Sequence, residues 1–178
     1  MREARKKDDL VVLIATDFEG ISEVNDIYQV LYGYETFERA RIWMTEDVNA
    51  TIRGLRAAGA GEIRVVDGHG SGGPNKNILS DRLERDVNLF QDPMLYKRLL
   101  NALDRSVDAI ALVGYHAMAD TPDGFMSHTL TLEPRVKING RLVGESFLTA
   151  GWGGYYGIPV ILATGDQALV REASNLIP

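Results

Sequence analysis

Three histidines, at positions 69, 116 and 128, are the residues of this 178-residue chain best suited to chemistry near neutral pH. His69 stands two residues past the apolar run EIRVVD, and His116 two past AIALVG. Asp17 and Glu19 directly follow a third run, LVVLIAT. One residue separates the two acids, and in extended chain that spacing puts both side chains on the same side. Carboxylates held so close repel one another unless a cation or a shared proton relieves them. Imidazoles delivered from neighbouring runs favour the cation. The chain has no cysteine, so any ligands are nitrogen and oxygen, which suits zinc, with manganese or cobalt as alternatives.

Each residue also has an ordinary explanation. A lone loop histidine, such as His128 in HAMADTPDGFMSH, is commonly a polar surface group. Asp17 suits a turn or an N-cap, and Glu19 a solvated loop charge. Glu145 follows Gly144 and reads as a first-turn acid favoured by a helix dipole. Asp67 could orient the His69 imidazole from two residues away, although a plain strand-end aspartate is the simpler reading. Asp166 reads as a helix N-cap. The run from Gly68 to Gly73 fits the dinucleotide pattern G-x-G-x-x-G, but Pro74 and Asn75 follow it where a helix should start. Those glycines more simply let the backbone bend around a ligated His69. Ser71 lies outside any G-x-S-x-G elbow. What singles out His69, His116 and the acid pair is their shared position just beyond apolar runs.

The elements that must position them alternate in type. LVVLIAT (10–16) is continuously apolar and rich in β-branched residues, as a strand buried on both faces would be. Phe37, Ala40, Met44, Val48, Ile52 and Leu55 form one stripe at helical spacing and predict a long helix over 35–58, ended by Gly59 and Gly61. Further strands are expected at 62–67, 108–114 and 158–164. Helices are expected at 93–104, with Pro93 in the first turn, from Glu145 to about 151, and at 167–175. RVKI and RLVG around Asn139-Gly140 predict a hairpin. Residues 78–87 fit no period. Together these predict an α/β fold with a mainly parallel, helix-covered sheet, an α/β/α sandwich carrying a β-hairpin insertion. In such a sheet the carboxyl ends of the strands share one rim, where ligands bind. Residues 1–9 read as a charged tail and 10–178 as a metal-binding catalytic domain.

Composition narrows the class. The chain is 45% hydrophobic and 25% charged, ordinary for one globular domain. A net charge of −6 argues against nucleic-acid binding. No run approaches the ~20 apolar residues of a membrane helix, and 10–15 is too short for a signal-peptide core. The expectation is a soluble, cytoplasmic protein.

The motifs, taken in order, resemble the DppA-type D-aminopeptidase family, zinc peptidases linked to dipeptide transport. TDFEGIS resembles the family's D-M-E-G-I-S signature, and RIWMTEDVNA its R-x-x-M-T-E-E-x-N segment. VVDGHG is similar to its N-D-S-H loop, and VGYHAMADTPDGFMSHT to its G-Y-H-A…T-P-G-x-M-S-H-S stretch. INGRLVGE and GYYGIPVILATGD match its I-N-x-x-x-V-G-E and G-Y-Y-x-V-P-V-x-x-x-G-D. The resemblance implies two zinc ions per subunit held by Asp17, Glu19, His69, His116 and Glu145, with His128 catalytic. Asp17 would bridge, Glu19 and His116 completing one ion and His69 and Glu145 the other. It implies hydrolysis of short peptides with an N-terminal D-residue, a small-peptide partner and a homo-oligomer. Phe18 and Gly68 depart from the family's Met and Ser. The family's chains continue beyond this one, into a C-terminal region that contributes to its substrate cavity and ring-like assembly and is expected to be absent here. A metal-dependent amidase for a non-peptide amide, or a non-catalytic metal-binding relative, would carry the same ligands.

Overall fold

Leu10–Thr16 (β1) is apolar along its length, and the chain buries it at the centre of a five-stranded sheet. The computed structural model describes residues 9–177 other than 72, 75 and 93; residues 1–8 of the charged tail expected at 1–9, and Pro93, lie outside the described residues. The other strands of the sheet are β2 (Ala60–Asp67), β3 (Asn88–Phe90), β4 (Ala109–Tyr115) and β7 (Val160–Gly165). Their order is β3-β2-β1-β4-β7, and every neighbouring pair is parallel. A separate antiparallel pair, β5 (Lys137–Ile138) and β6 (Arg141–Leu142), forms the expected hairpin. Asn139 and Gly140 both have positive φ, 52° and 79°, as a two-residue turn that follows strand twist requires.

Side-chain alternation divides the core in two. Ile14, Ile63, Val65, Ala111 and Val113 face α1 (Glu35–Ala58), whose Phe37, Ala40, Met44, Val48 and Ile52 are buried against them. Leu13, Ala15, Val66, Ile110 and Leu112 face the opposite way. There they meet the layer of α2 (Leu95–Ala102), α3 (Glu145–Tyr155) and α4 (Gln167–Leu176). Each fully buried aliphatic or aromatic side chain on these faces contributes about 1.5–3 kcal/mol. The result is the α/β/α sandwich expected from the sequence.

The connections decide where a site can form. After β1 the chain crosses through α1 to β2, and after β4 it crosses through α3 to β7 on the other side. At the carboxyl ends of β1 and β4 the chain therefore departs in opposite directions and leaves a crevice between.

Boundaries differ in places. Gly59 ends α1 in the left-handed conformation, φ 101°, but Gly61 lies inside β2 rather than in the cap. The helix expected at 93–104 spans Leu95–Ala102. β3 has no counterpart among the expected strands: three half-exposed residues at a sheet edge carry too little pattern to be seen. No helix among the described residues is long and apolar enough to cross a membrane.

Candidate metal centre

Asp17 leaves β1 at the crevice and is held there by its neighbour strand, its N–H donating to the Val113 carbonyl at 2.8 Å. Phe18 turns the other way into the α1-side core and is fully buried, so Asp17 and Glu19 share the opposite side. Gly20 follows because nothing larger fits: a Cβ there would stand 2.1 Å from the Tyr115 carbonyl oxygen. Gly68 answers a similar need. A Cβ would lie 2.4 Å from the Thr16 carbonyl oxygen, to which the Gly68 N–H donates at 2.9 Å. The glycine beside His69 thus serves close approach of β2 to β1 rather than a sharp bend.

All the donors expected from the sequence meet at this rim. His69 Nδ1 lies 3.3 Å from Asp17 Oδ1 and 3.2 Å from Glu19 Oε2. His116 Nε2 lies 3.4 Å from Asp17 Oδ2 and 3.3 Å from Glu145 Oε1. Two three-residue clusters result, Asp17–Glu19–His69 and Asp17–His116–Glu145, joined through the two oxygens of Asp17. These two clusters group Glu19 with His69 and Glu145 with His116, where the expected sharing grouped Glu19 with His116 and His69 with Glu145. The reason is lateral order: β1 lies between β2 and β4, so each histidine meets the face of Asp17 nearest its own strand.

His128 stacks on His116, centroids 3.8 Å apart and planes 9° apart. Its Nε2 stands 4.0 Å from Glu19 Oε1 and 3.9 Å from Glu145 Oε1. Glu19, His116 and His128 form a third, overlapping group close enough to hold an ion. Glu145 opens α3, as expected of a first-turn acid, and also accepts from the Leu130 N–H at 2.7 Å.

The ring nitrogens have defined roles. His69 Nε2 lies 2.8 Å from the Val30 carbonyl, His116 Nδ1 2.9 Å from that of Ala117, and His128 Nδ1 2.7 Å from that of Met126. A carbonyl oxygen only accepts, so each of these nitrogens carries the proton, and in the neutral ring the other holds a lone pair. All three lone pairs point to the acid cluster. Asp17 Oδ2 and His116 Nε2 are buried without a hydrogen-bond partner, which is uncommon and fits a site built to hold cations.

The electrostatics agree. Burial, then the charge of Glu19, raises the Asp17 carboxyl above its usual range. Burial works to raise Glu19 too, but the adjoining His69 and His116 outweigh it and hold the group low. Burial opposes charge on the imidazoles, yet the surrounding carboxylates prevail. They push His69 well above its ordinary value and His116 up to about 10. Glu19 and the imidazoles of His69 and His116 thus favour one another's charged forms.

Asp67 does not touch the His69 ring, and it is more than a strand-end residue. Fully buried, it accepts from the Asn77 N–H and Nδ2 at 2.7 Å each and from Gln91 Nε2 at 2.8 Å, and it pairs with buried Arg98 at 3.5 Å. Asn77 Nδ2 also donates to the His69 carbonyl at 2.9 Å, so this network fixes the backbone of the histidine loop. Among the described residues no helix follows that loop until α2, which argues against the dinucleotide reading. Asp166 caps α4 as expected, accepting from the Leu169 N–H at 2.7 Å.

Two positioning residues escaped the sequence reading. Asn77 gave no signal inside a polar loop. Glu172 did: it shares the buried face of α4 with Ala168, Leu169 and Ala173. Its Oε2 accepts from the Met118 N–H at 2.7 Å and its Oε1 lies 3.3 Å from Ser146 Oγ, which ties α4 to the segments carrying His116 and Glu145.

Comparison with known proteins decides the lineage. Residues 10–178 match the family model described as D-aminopeptidase. The chain belongs to that family. It is 35% identical over 166 residues to a D-aminopeptidase of Bacillus subtilis (strain 168), spanning 93% of this chain and 59% of that protein. It also matches a solved structure, the Zn-dependent D-aminopeptidase DppA from Bacillus subtilis, a self-compartmentalizing protease. There the TM-score is 0.84 and the identity 33%, over 95% of this chain and 61% of the other. The chain therefore spans about three fifths of the length of these relatives.

Proposed function

We propose that this D-aminopeptidase relative is itself a zinc-dependent aminopeptidase that cleaves short peptides bearing an N-terminal D-residue at a two-metal site. The observation that carries the reading is Asp17: its two oxygens face different histidines, Oδ1 toward His69 and Oδ2 toward His116. Asp17 would bridge, Glu19 and His69 holding one ion and His116 and Glu145 the other. When bound, two such ions polarise a peptide carbonyl and acidify water. Zinc and the D-residue follow the relatives, since the donor set also admits manganese or cobalt.

The chain's own residues supply orientation and proton transfer. Carbonyls of Val30, Ala117 and Met126 hold the three imidazoles in fixed tautomers. His128 Nε2 carries a lone pair at the cavity edge and takes the proton as water adds to the scissile carbon. It returns that proton to the amine nitrogen as the C–N bond breaks. Stripping metal with a chelator and restoring zinc tests the reading: hydrolysis of D-alanyl peptides should vanish and return, with close to two zinc ions per chain by elemental analysis. Activity indifferent to chelation would overturn it.

A further inference from the structure

We propose that Arg41, Thr45 and Asn49 are positioning residues for one of the two ions, the one assigned to Glu19 and His69, and that they leave the His116–Glu145 position untouched. The proposal rests on the two-metal reading above and deepens it. The three residues come from the segment RIWMTEDVNA, none of whose residues belongs to the three ligand clusters. They stand four apart on α1 and so form one row along the helix. Thr45 and Asn49 are buried, next to Met44 and Val48 of the apolar stripe. The row meets residues 76–84, which form neither helix nor strand. Their backbone N–H and C=O groups need partners all the same. The helix spends its own backbone groups on itself, so side chains supply the partners. Arg41 Nε donates to the Asn77 carbonyl at 3.1 Å and Nη2 to that of Lys76 at 2.8 Å. Thr45 Oγ1 donates to the Arg41 carbonyl at 2.8 Å and accepts from the Leu79 N–H at 3.0 Å. Asn49 donates to the Arg82 carbonyl at 2.9 Å and accepts from the Glu84 N–H at 2.8 Å.

Asn77 is where this row reaches the metal centre. Arg41 holds its carbonyl, and Thr45 holds the amide two residues on. Both protons of Asn77 Nδ2 are spent, one on Asp67 Oδ1 at 2.7 Å and the other on the His69 carbonyl at 2.9 Å. Its N–H donates to Asp67 Oδ2 at 2.7 Å. Asp67 ends β2 in register with Thr16, the residue before Asp17. A displaced Asn77 therefore shifts the backbone of His69 relative to Asp17 and Glu19. Groups that orient a ligand without touching the metal are commonly worth about 10–100-fold in affinity. His116 and Glu145 stand after β4 and at the start of α3, where Glu172 joins their segments instead. The two ion positions thus have separate supports, and a defect in one should spare the other.

The experiment counts zinc by elemental analysis and measures its affinity by competition with a chromogenic chelator. Asn77→Ala cuts the link to His69. Thr45→Val removes the hydroxyl that holds Leu79, and Thr45→Ser keeps it. Each change is made in the parent chain and in two backgrounds that retain one ion position, His116→Ala and His69→Ala. Asn77→Ala should weaken zinc by about 10–100-fold in the His116→Ala background and leave it unchanged in the His69→Ala background, the pattern of a coupled pair against an independent one. Thr45→Val should act in the same background, more weakly, and Thr45→Ser should keep the parent affinity. Should Asn77→Ala fail to fold, the two Thr45 variants decide the matter. Ile52→Val, an apolar change on the same helix, should lower the denaturation midpoint without moving zinc affinity, which separates positioning from general loosening. Weakening in both backgrounds, weakening in neither, or equal weakening by Ile52→Val overturns the inference and leaves the two-metal reading standing. A parent chain holding one zinc ion, lost in His69→Ala and weakened by Asn77→Ala, overturns the two-metal reading and leaves the positioning of His69 standing. A parent chain that binds no zinc overturns both.

Discussion

A backbone carbonyl holds one nitrogen of each imidazole, and this fixes where protons and cations can go. For His69 and His116 the free nitrogen lies between carboxylates at 3.2–3.4 Å. For His128 it lies farther out, at 3.9–4.0 Å, where it can reach substrate. In the proposed mechanism that difference separates holding a metal from moving a proton. His128→Ala should therefore lower kcat by about 10²–10⁴-fold while zinc stoichiometry by elemental analysis stays as in the parent chain. Loss of an ion from that variant would make His128 a ligand in the third cluster. Asp17, Glu19, His69 and His116 were legible in the sequence because they stand just past apolar strands, whereas Glu145 and the role of His128 came from the family resemblance. Their pairing was not, since it depends on the lateral order of strands and on a carbonyl, Val30, that lies 39 residues from His69.

Elements translate those contacts into geometry. β1 and β2 come together at their carboxyl ends because Gly68 lets its backbone meet that of Thr16. Gly68→Ala places a methyl group against a carbonyl that cannot swing aside, and the two strand ends must part. The expected cost is about 1–3 kcal/mol of stability, seen as a lower denaturation midpoint, together with weaker zinc binding because Asp17 and His69 ride on those ends. A variant as stable and as zinc-avid as the parent would show that the contact is not limiting. On the other side, Glu172 joins α4 to Met118 and Ser146. Glu172→Ala leaves the Met118 N–H without that acceptor and loosens the segments carrying His116 and Glu145. Zinc affinity by competition with a chelator should fall about 10–100-fold, and an unchanged affinity would reduce Glu172 to a packing residue. Helix α1 was readable from its apolar stripe because 24 residues repeat one period many times. β3, with three residues, repeats nothing. Glu172 shows a third situation, in which a charged residue on a buried face reveals its importance but not its partners.

At the scale of the whole molecule, the described surface carries apolar groups that a monomer has little use for. Tyr28 and Tyr34 pack against one another, ring centroids 4.6 Å apart, and remain 49% and 47% exposed. Tyr32 is half exposed, and Ile27, at the same end of the molecule, lines the cavity. On the far side of the sheet's centre, β7 is an edge strand with Ile161 and Leu162 open to solvent. An uncovered strand edge with apolar neighbours invites pairing with another chain. The Bacillus subtilis DppA is a self-compartmentalizing protease; for this chain, self-association is a prediction that rests on its own exposed tyrosines and on the β7 edge. Sedimentation of the zinc-loaded protein should give a mass that is a multiple of 19.7 kDa, and replacing Tyr28 and Tyr34 by serine should shift the population toward single chains. Because Ile27 and the tyrosines belong to one surface, that dissociation should also raise KM for peptides. A single chain already at micromolar concentration, with activity unaffected by the serine substitutions, would mean that the tyrosines serve the monomer and that entry to the site does not depend on neighbours.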